Sequence, residues 1–348
     1  MTDARQAELG RWLAQTSAGA NTTAANIALA VVSGDASFRR YFRTHLNGQS
    51  LIAVDAPPML EDNPRFVRIA ELFQEAGVRT PEVLAQDFVQ GFMLLDDLGD
   101  ELYLDSLLAA QQDHNLAVAD ELYRKAIDTL VDLQQGVDKE RLDPYSRDEL
   151  HAELTLFDEW FCSQLLGLDL SAAEEQLIQT TYRQLEDEAL GQPFVAVHRD
   201  YHSRNLMIVN PGPGVIDFQD AVAGPYTYDL VSLLRDCYIR WPDDQVLVWT
   251  RYYHEQASAR GVIAGIDFTR LQRDMDLMGL QRHLKVMGIF SRLSLRDKKP
   301  RYLADIPLVI DYFLDVAAAQ PELADFVDWF RQRVLPAANR ELDLTTRT

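Results

Sequence analysis

Hydrophobic and polar positions divide the chain into a strand-rich first part and a helical second part. Short apolar runs bounded by turn residues predict strands, and these runs lie at residues 27–32, 38–43, 51–54, 83–84 and 92–95. Apolar residues at helical spacing predict two helices in the same part, at residues 3–15 and 63–77. Asn63 is the predicted N-cap of the second helix, because Pro64 follows it in the first turn.

The second part of the chain has a helical pattern with one β interruption. Helices are predicted at residues 113–134 and 149–166, and the pattern resumes after residue 228. The interruption spans residues 194–218. A small β-rich part followed by a larger helical part is an α+β plan. We expect two domains, at residues 1–99 and 100–348.

The amino-acid composition is typical of a globular protein, and acidic residues strongly outnumber basic ones. There are 33 Lys and Arg residues against 54 Asp and Glu, a formal net charge of −21, which disfavours binding to nucleic acid. Cys162 and Cys237 lie in no CxxC or Cys/His cluster, so we expect neither a zinc site nor a disulfide. The pattern contains no secretory signal and no membrane span, so we expect a cytoplasmic protein with no membrane or obligate protein partner.

The β interruption carries the candidate chemistry. Two apolar strands flank a Pro- and Gly-rich turn at residues 210–214, which predicts a hairpin. Asn205 stands at the start of its first strand and Asp217 near the end of its second, so antiparallel pairing brings them close together. Their oxygens are ligands that Mg²⁺ prefers. Asp200, in the loop before the hairpin, can accept the proton of an attacking hydroxyl.

This arrangement resembles the catalytic and metal loops of aminoglycoside phosphotransferase and choline kinase relatives. The resemblance rests on His198-Arg199-Asp200, followed by Asn205 and by Ile216-Asp217-Phe218. The resemblance implies a bilobal protein-kinase-like fold, with a small antiparallel-sheet N-lobe and a larger helical C-lobe that holds the hairpin. It also implies ATP as co-substrate, Asp200 as catalytic base, and Asn205 and Asp217 as Mg²⁺ ligands. Asp229 matches a residue that braces the catalytic loop.

The same resemblance assigns candidate nucleotide contacts in the first part. The turn with Ser33, Gly34 and Ser37 stands where the family covers the phosphates, and Asp96 and Leu98 stand in the connector that meets adenine. The family then expects a cation on the next strand, where this chain has Asp55. Three nearby arginines could replace that cation or could be solvated strand residues, and the sequence leaves both open; they are Arg39, Arg40 and Arg43.

A bacterial subgroup of N-acetylmuramate/N-acetylglucosamine anomeric kinases is similar along most of the chain. The similarity is carried by residues 34–43, 55–58 and 281–293. It implies ATP-dependent phosphorylation of the sugar C1 hydroxyl in peptidoglycan sugar recycling. Candidate acceptor residues are His202 and Arg204 in the catalytic loop, Glu153 and Trp160 on one face of the helix at 149–166, and Arg282 and His283. That helix face could instead be ordinary core packing. Arg282, His283 and Lys285 form a basic group that could face a lactyl carboxylate or could pair with Asp274 and Asp276, and the sequence leaves both open.

Two other functions remain open at this stage. The first is a small-molecule kinase for another acceptor, such as an aminoglycoside, choline or homoserine. The second is a pseudokinase that binds nucleotide without turnover, which Asp55 in place of the expected cation would favour.

Overall fold

Contacts within the chain group it into two compact units. In the computed structural model the described residues are 4–16, 27–33 and 38–342, with the backbone alone for Ser33. One unit contains the described residues up to Tyr103 together with Arg204–Asp220, and the other contains Leu104–Ser203 with the residues from Ala221 onward. The segment 204–220 therefore groups with the first part of the chain. The division expected between residues 99 and 100 stays a prediction.

The first unit is built on an antiparallel sheet with the strand order β1-β2-β3-β5-β4. Its strands are β1 (Ala30–Ser33), β2 (Arg40–Leu46), β3 (Gln49–Asp55), β4 (Val83–Asp87) and β5 (Phe92–Asp96). The predicted strands of this part are all present. Two helices accompany the sheet, α1 (Ala4–Thr16) and α2 (Asn63–Glu75).

Helix α1 covers one face of this sheet because its apolar residues fall on one side. Leu9, Trp12 and Leu13 are buried against residues that alternate along the strands, among them Phe42 of β2 and Leu51 of β3. The N-cap of α2 differs from the prediction by one residue. The Asp62 carboxylate accepts the Arg65 amide at 3.0 Å, whereas the Asn63 side chain donates to the Ala56 carbonyl.

A short hairpin completes the first unit. It consists of β7 (Leu206–Met207) and β8 (Gly214–Val215), so both strands are shorter than predicted. The Ile208 amide donates to the Glu101 carbonyl at 2.8 Å. The Phe218 ring lies 4.8 Å from the Phe66 ring of α2. These contacts join the hairpin to the helix and the end of the sheet within one packed unit.

The second unit is helical, as the pattern predicts. Its α-helices are α3 (Tyr103–Gln112, whose first residue lies in the first unit), α4 (Leu116–Gly136), α5 (Arg147–Leu156), α6 (Ala172–Leu190), α7 (Tyr228–Leu234), α8 (Asp243–Ala259), α9 (Phe268–Leu295), α10 (Ile306–Ala317), α11 (Ala324–Trp329) and α12 (Leu335–Glu341). Two π-helical segments, Phe157–Leu165 and Phe330–Val334, continue α5 and α11, and 3₁₀ turns lie at Lys139–Arg141, Pro300–Asp305 and Pro321–Leu323. In the part that the structure describes, no helix has the length and apolar character needed to span a bilayer.

A small two-stranded sheet lies among these helices. Strand β6 (Phe194–Val197) pairs with β9 (Val222–Pro225), from Phe194 opposite Pro225 to Val197 opposite Val222. The predicted β interruption at residues 194–218 includes β6 but not β9, because Val-Ala-Gly-Pro is too short to show a strand pattern. Because Val197 is opposite Val222, His198 follows β6 at the edge of the sheet where β9 begins, and the chain leaves the opposite edge at Pro225 before it enters α7.

Candidate active site

The hairpin brings Asn205 and Asp217 to the same end of its two strands. Leu206 pairs with Val215, and the Ile216 amide donates to the Asn205 carbonyl at 3.0 Å. Asp217 follows directly, exposed and with φ of 63°, a left-handed conformation that Asp tolerates better than most residues. One amide oxygen and one carboxylate fit Mg²⁺, which proteins commonly hold by one or two such ligands together with substrate phosphates.

On the same unit, a buried cation lies near Asp217. The side chain of Arg39 is 4% exposed, and its Nη2 lies 3.2 Å from the Glu61 carboxylate. Its guanidinium stands 5.2 Å from the centre of the Phe66 ring, which packs on Phe218. Burial raises the pKa of the neighbouring Tyr41, Arg39 lowers it, and the charges of Asp217 and Glu61 raise it further, so these groups share one electrostatic environment.

Asp55 and the other two arginines have different neighbours. The Asp55 side chain lies on the face that α1 covers, where Arg5 Nε donates to it at 2.8 Å and Arg40 Nε at 3.0 Å. Arg40 is opposite Asp55 in the β2–β3 register, so the pair is a cross-strand one. Arg43 binds Asp97, with Nε to Oδ2 at 2.6 Å, and also Asp100. Arg40 and Arg43 are thus each held by carboxylates.

The remaining nucleotide candidates are placed as follows. Asp96 ends β5 and is bound by the Arg79 guanidinium and the Glu82 amide. Leu98 is half-buried against the hairpin, where a Cβ added to Gly214 would meet its Cδ1 at 2.8 Å. Gly34 and Ser37 lie outside the described residues, and the described part of Ser33 is its backbone in β1.

In the second unit, the loop that carries Asp200 is held from two sides. The buried Asp229 carboxylate accepts the His198 amide at 2.6 Å and the Arg199 amide at 3.0 Å. Arg282 Nη1 donates to the Arg199 carbonyl at 2.9 Å. Arg199 has φ of 79°, a conformation that costs a non-glycine residue free energy and that these bonds stabilise. The Asp229 carboxylate therefore binds the backbone of the loop that carries Asp200, and its structural role in the family sense stays a prediction.

The charges around Asp200 keep it ionised. Burial raises the pKa of its carboxyl, but electrostatic interactions with Lys285, His202, Arg282 and His198 lower it more, so the net shift is downward. The adjacent Asp229 behaves in the opposite way, since burial raises the pKa of its carboxyl to about 7. Asp200 is thus a charged carboxylate, and Asp229 binds the backbone of the same loop.

Glu153 lies at the centre of a buried charge cluster. It is 8% exposed and contacts the Arg199 guanidinium, Lys285 Nζ at 2.8 Å and the Tyr145 hydroxyl. Lys285 also donates to the Tyr228 hydroxyl at 2.8 Å. Burial raises the pKa of Glu153, but Lys285 and Arg199 lower it more, so the carboxylate is charged. These contacts favour a role for Glu153 in supporting the catalytic loop, whereas the sequence suggested that it contacts the sugar.

The other acceptor candidates are distributed over the second unit, except Arg204. His202 is half-buried, with its ring 5.4 Å from the Tyr238 ring, and its amide donates to the Asp200 carbonyl. Trp160 is half-buried on the π-helical segment, so it does not continue the α-helical face of Glu153. His283 is 3% exposed and stacks on Tyr312. Arg204 is half-buried and directly precedes Asn205.

Three residues around Glu153 make contacts that the sequence does not reveal. Lys285, Arg199 and Tyr145 complete the cluster around Glu153. Arg282 contacts the catalytic loop, whereas His283 stacks on Tyr312. Asp274 is bound by Arg270 at 2.6 Å and Asp276 by Arg235 at 2.6 Å, so the acids considered as partners for that basic group are held by other arginines. The available sequence signal was the spacing on α9, because residues four apart such as Gln281 and Lys285 lie on one helix face. In the structure both residues contact Glu153.

Comparison with known proteins gives three kinds of match. Residues 28–266 match the model of the phosphotransferase enzyme family. The chain is 45% identical over 297 residues to an N-acetylmuramate/N-acetylglucosamine kinase of Pseudomonas putida, covering 85% of this chain and 86% of that protein. It is 44% identical over 293 residues to the protein of the same name from Pseudomonas aeruginosa, covering 84% and 85%. The ADP-bound aminoglycoside phosphotransferase APH(2'')-Ib is 15% identical, with a TM-score of 0.58, covering 89% of this chain and 98% of that one, which confirms the protein-kinase-like fold.

Proposed function

The chain belongs to the phosphotransferase enzyme family, and on that premise we propose that it phosphorylates the C1 hydroxyl of N-acetylmuramate and N-acetylglucosamine. The observation that carries this acceptor is 45% identity along most of both chains to a kinase named for these two sugars. ATP is the phosphate donor in the proposal and Mg²⁺ the metal. The reaction belongs to peptidoglycan sugar recycling in the cytoplasm.

The proposed step is an in-line displacement. The C1 oxygen of the sugar attacks the γ-phosphorus of ATP, the new O–P bond forms, and the bond from that phosphorus to the β–γ bridging oxygen breaks. Asp200 accepts the hydroxyl proton, which its lowered pKa permits at neutral pH. The products are the sugar 1-phosphate and ADP.

The nucleotide phosphates need positive charge in a chain of net charge −21. Asn205 and Asp217 would hold Mg²⁺, which neutralises phosphate charge when bound. Arg39 is the protein cation that we assign to the phosphates, because a guanidinium has five N–H donors and can serve Glu61 and a phosphate together. Asp96, Leu98 and the turn with Ser33, Gly34 and Ser37 remain proposed nucleotide contacts.

The alternatives have less support. A different acceptor would rest on solved structures at low identity, which show the fold alone. The pseudokinase hypothesis rested on Asp55 in the place of the expected cation. Asp55 instead faces α1 and binds Arg5 and Arg40, while the buried Arg39 lies on the side of Asp217.

The test is ADP release with Mg-ATP and a panel of acceptors. The panel contains N-acetylmuramate, N-acetylglucosamine, kanamycin, choline and no acceptor, each with the parent protein and Asp200→Asn. We expect turnover with the two N-acetyl sugars and a loss of at least about 100-fold in the variant, because a positioned base contributes roughly 10²–10⁴-fold. Turnover with kanamycin or choline alone would contradict the acceptor. Mg-ATP binding with no turnover would favour the pseudokinase.

A further inference from the structure

Strand β2 carries a tyrosine, Tyr41, on the side of the sheet opposite α1. Phe42 and Leu46 pack against α1, so alternation along the strand directs Arg39 and Tyr41 to the other side. Tyr41 is half-buried, and its hydroxyl forms no hydrogen bond with another residue in the part of the chain that the structure describes. A tyrosine hydroxyl can donate one hydrogen bond and accept others, so this one is available to a ligand.

The backbone register places Tyr41 beside the turn that is a candidate for binding the phosphates. Tyr41 is opposite Ser33 of β1 and also opposite Val54 of β3. Ser33 is the last residue of β1, directly before that turn. Residues directly opposite each other in an antiparallel pair share one face of the sheet, so the buried Val54 lies beside Tyr41. Tyr41 therefore stands at the end of the sheet from which the turn leaves.

The cation and one metal ligand of the proposed site lie on the same side and in the same unit as Tyr41. The Arg39 guanidinium is 5.2 Å from the centre of the Phe66 ring. The Phe66 ring is 4.8 Å from the ring of Phe218, which directly follows Asp217. Burial raises the pKa of Tyr41, Arg39 lowers it and Asp217 raises it, with a net shift upward. The hydroxyl is therefore protonated at neutral pH and can donate to an anion.

We infer that the Tyr41 hydroxyl donates a hydrogen bond to a phosphate oxygen of the nucleotide, beside Arg39. The inference rests on the proposed function and deepens it by naming a second protein donor to the phosphates. A hydrogen bond to a charged oxygen is roughly twice as strong as one between neutral groups. The protein donors to the phosphates then come from the start of β2, whereas β3 has Asp55 where the family expects a cation.

The test is calorimetric binding of Mg-ATP to the parent and to Tyr41→Phe, with no sugar present. We expect the Kd to rise roughly 10- to 100-fold, as for loss of a hydrogen bond to a charged group. Tyr252→Phe is the matched control, because it removes a hydroxyl that donates to Asp128 at 2.9 Å in the other unit, and it should bind as the parent does. An unchanged Kd for Tyr41→Phe, or equal increases in both variants, would overturn the inference while the proposed function stands.

Nucleotides of different length separate a phosphate contact from a change in packing. The parent and Tyr41→Phe are compared with adenosine, AMP and Mg-ADP, and the thermal midpoint of each protein is measured without nucleotide. We expect equal midpoints and equal affinity for adenosine, with the difference appearing only when phosphates are added. A loss of adenosine affinity as large as the loss for Mg-ATP would overturn the inference. A parent that does not bind Mg-ATP would overturn the proposed function, and the inference with it.

Discussion

At the residue scale, neighbouring arginines at the start of β2 differ in what they contact. Arg39 and Tyr41 alternate with Arg40 along the chain. Arg39 and Tyr41 therefore lie on one face of the sheet, and Arg40 lies on the other. Arg40 pairs with Asp55 beneath α1, whereas Arg39 pairs with Glu61 beside Phe66. The sequence could not separate these roles, because it does not show which face of the strand α1 covers.

Replacing Arg39 by methionine tests its assignment to the ATP phosphates. We expect Arg39→Met to raise the KM for ATP roughly 10- to 100-fold, because a charged hydrogen bond to phosphate is lost. The control is Arg43→Met, since Arg43 is already bound by Asp97 and Asp100 and should leave that KM nearly unchanged. The assignment is wrong if Arg43→Met raises the KM and Arg39→Met does not.

Removing the charge of Glu153 tests the buried cluster. Glu153→Gln should lower the free energy of unfolding at pH 7 by about 3–5 kcal/mol, because Lys285 and Arg199 remain buried without their counter-ion. The exposed Glu159→Gln on the adjoining π-helical segment is the control and should change stability by less than about 0.5 kcal/mol. Urea unfolding followed by tryptophan fluorescence measures both.

The stability difference between the parent and Glu153→Gln should change with pH in a defined direction. The folded-state pKa of Glu153 is lowered, so its charge stabilises the fold above the ordinary glutamate pKa of about 4.3 and that contribution is lost as the pH falls through the lowered value. The difference between the parent and Glu153→Gln should therefore narrow below about pH 4. A difference that widens with acidification would contradict this electrostatic account.

At the scale of elements, the contact between α5 and α9 sets where the charged residues lie. Gly288 allows the backbone of Leu156 to approach so closely that an added Cβ would clash with its carbonyl. The chain then continues from α5 into a π-helical segment from Phe157 to Leu165. A π-helix turns less per residue than an α-helix, so Trp160 moves off the face that Glu153 occupies.

Adding a methyl group at Gly288 tests this contact. We expect Gly288→Ala to destabilise the protein by at least about 1–3 kcal/mol, because the clash is with backbone atoms that cannot change rotamer. Leu295→Ala, at an exposed position of the same helix, is the control and should have a small effect. A more stable Gly288→Ala, as expected from helix propensity alone, would contradict the close approach.

The sequence predicted most elements and some of the site, for identifiable reasons. Strands of the first sheet and the long helices follow from alternation and helical spacing. The hairpin with Asn205 and Asp217 follows from its turn residues. Strand β9 is too short to show a pattern, and the π-helical turn after Leu156 leaves no local signal. The partners of Glu153 come from α9, the catalytic loop and the segment before α5, so only tertiary packing brings them together.

At the scale of the whole molecule, positive charge is scarce and therefore informative. The chain carries 33 Lys and Arg residues against 54 Asp and Glu. Several of its cations are buried, and each of these has a defined contact. Arg39 lies beside Glu61, Arg282 donates to the Arg199 carbonyl, and Lys285 binds Glu153. Such an arrangement fits a kinase that attracts anionic substrates locally while its surface remains acidic.

The central claim is that phosphate is transferred to the anomeric hydroxyl. The most direct measurement compares ADP release with N-acetylglucosamine and with its 1-O-methyl glycoside, in which that hydroxyl is blocked and every other group remains. Our account predicts turnover with the free sugar and none above background with the glycoside. Equal turnover of the two would show that another hydroxyl is phosphorylated and would contradict the account.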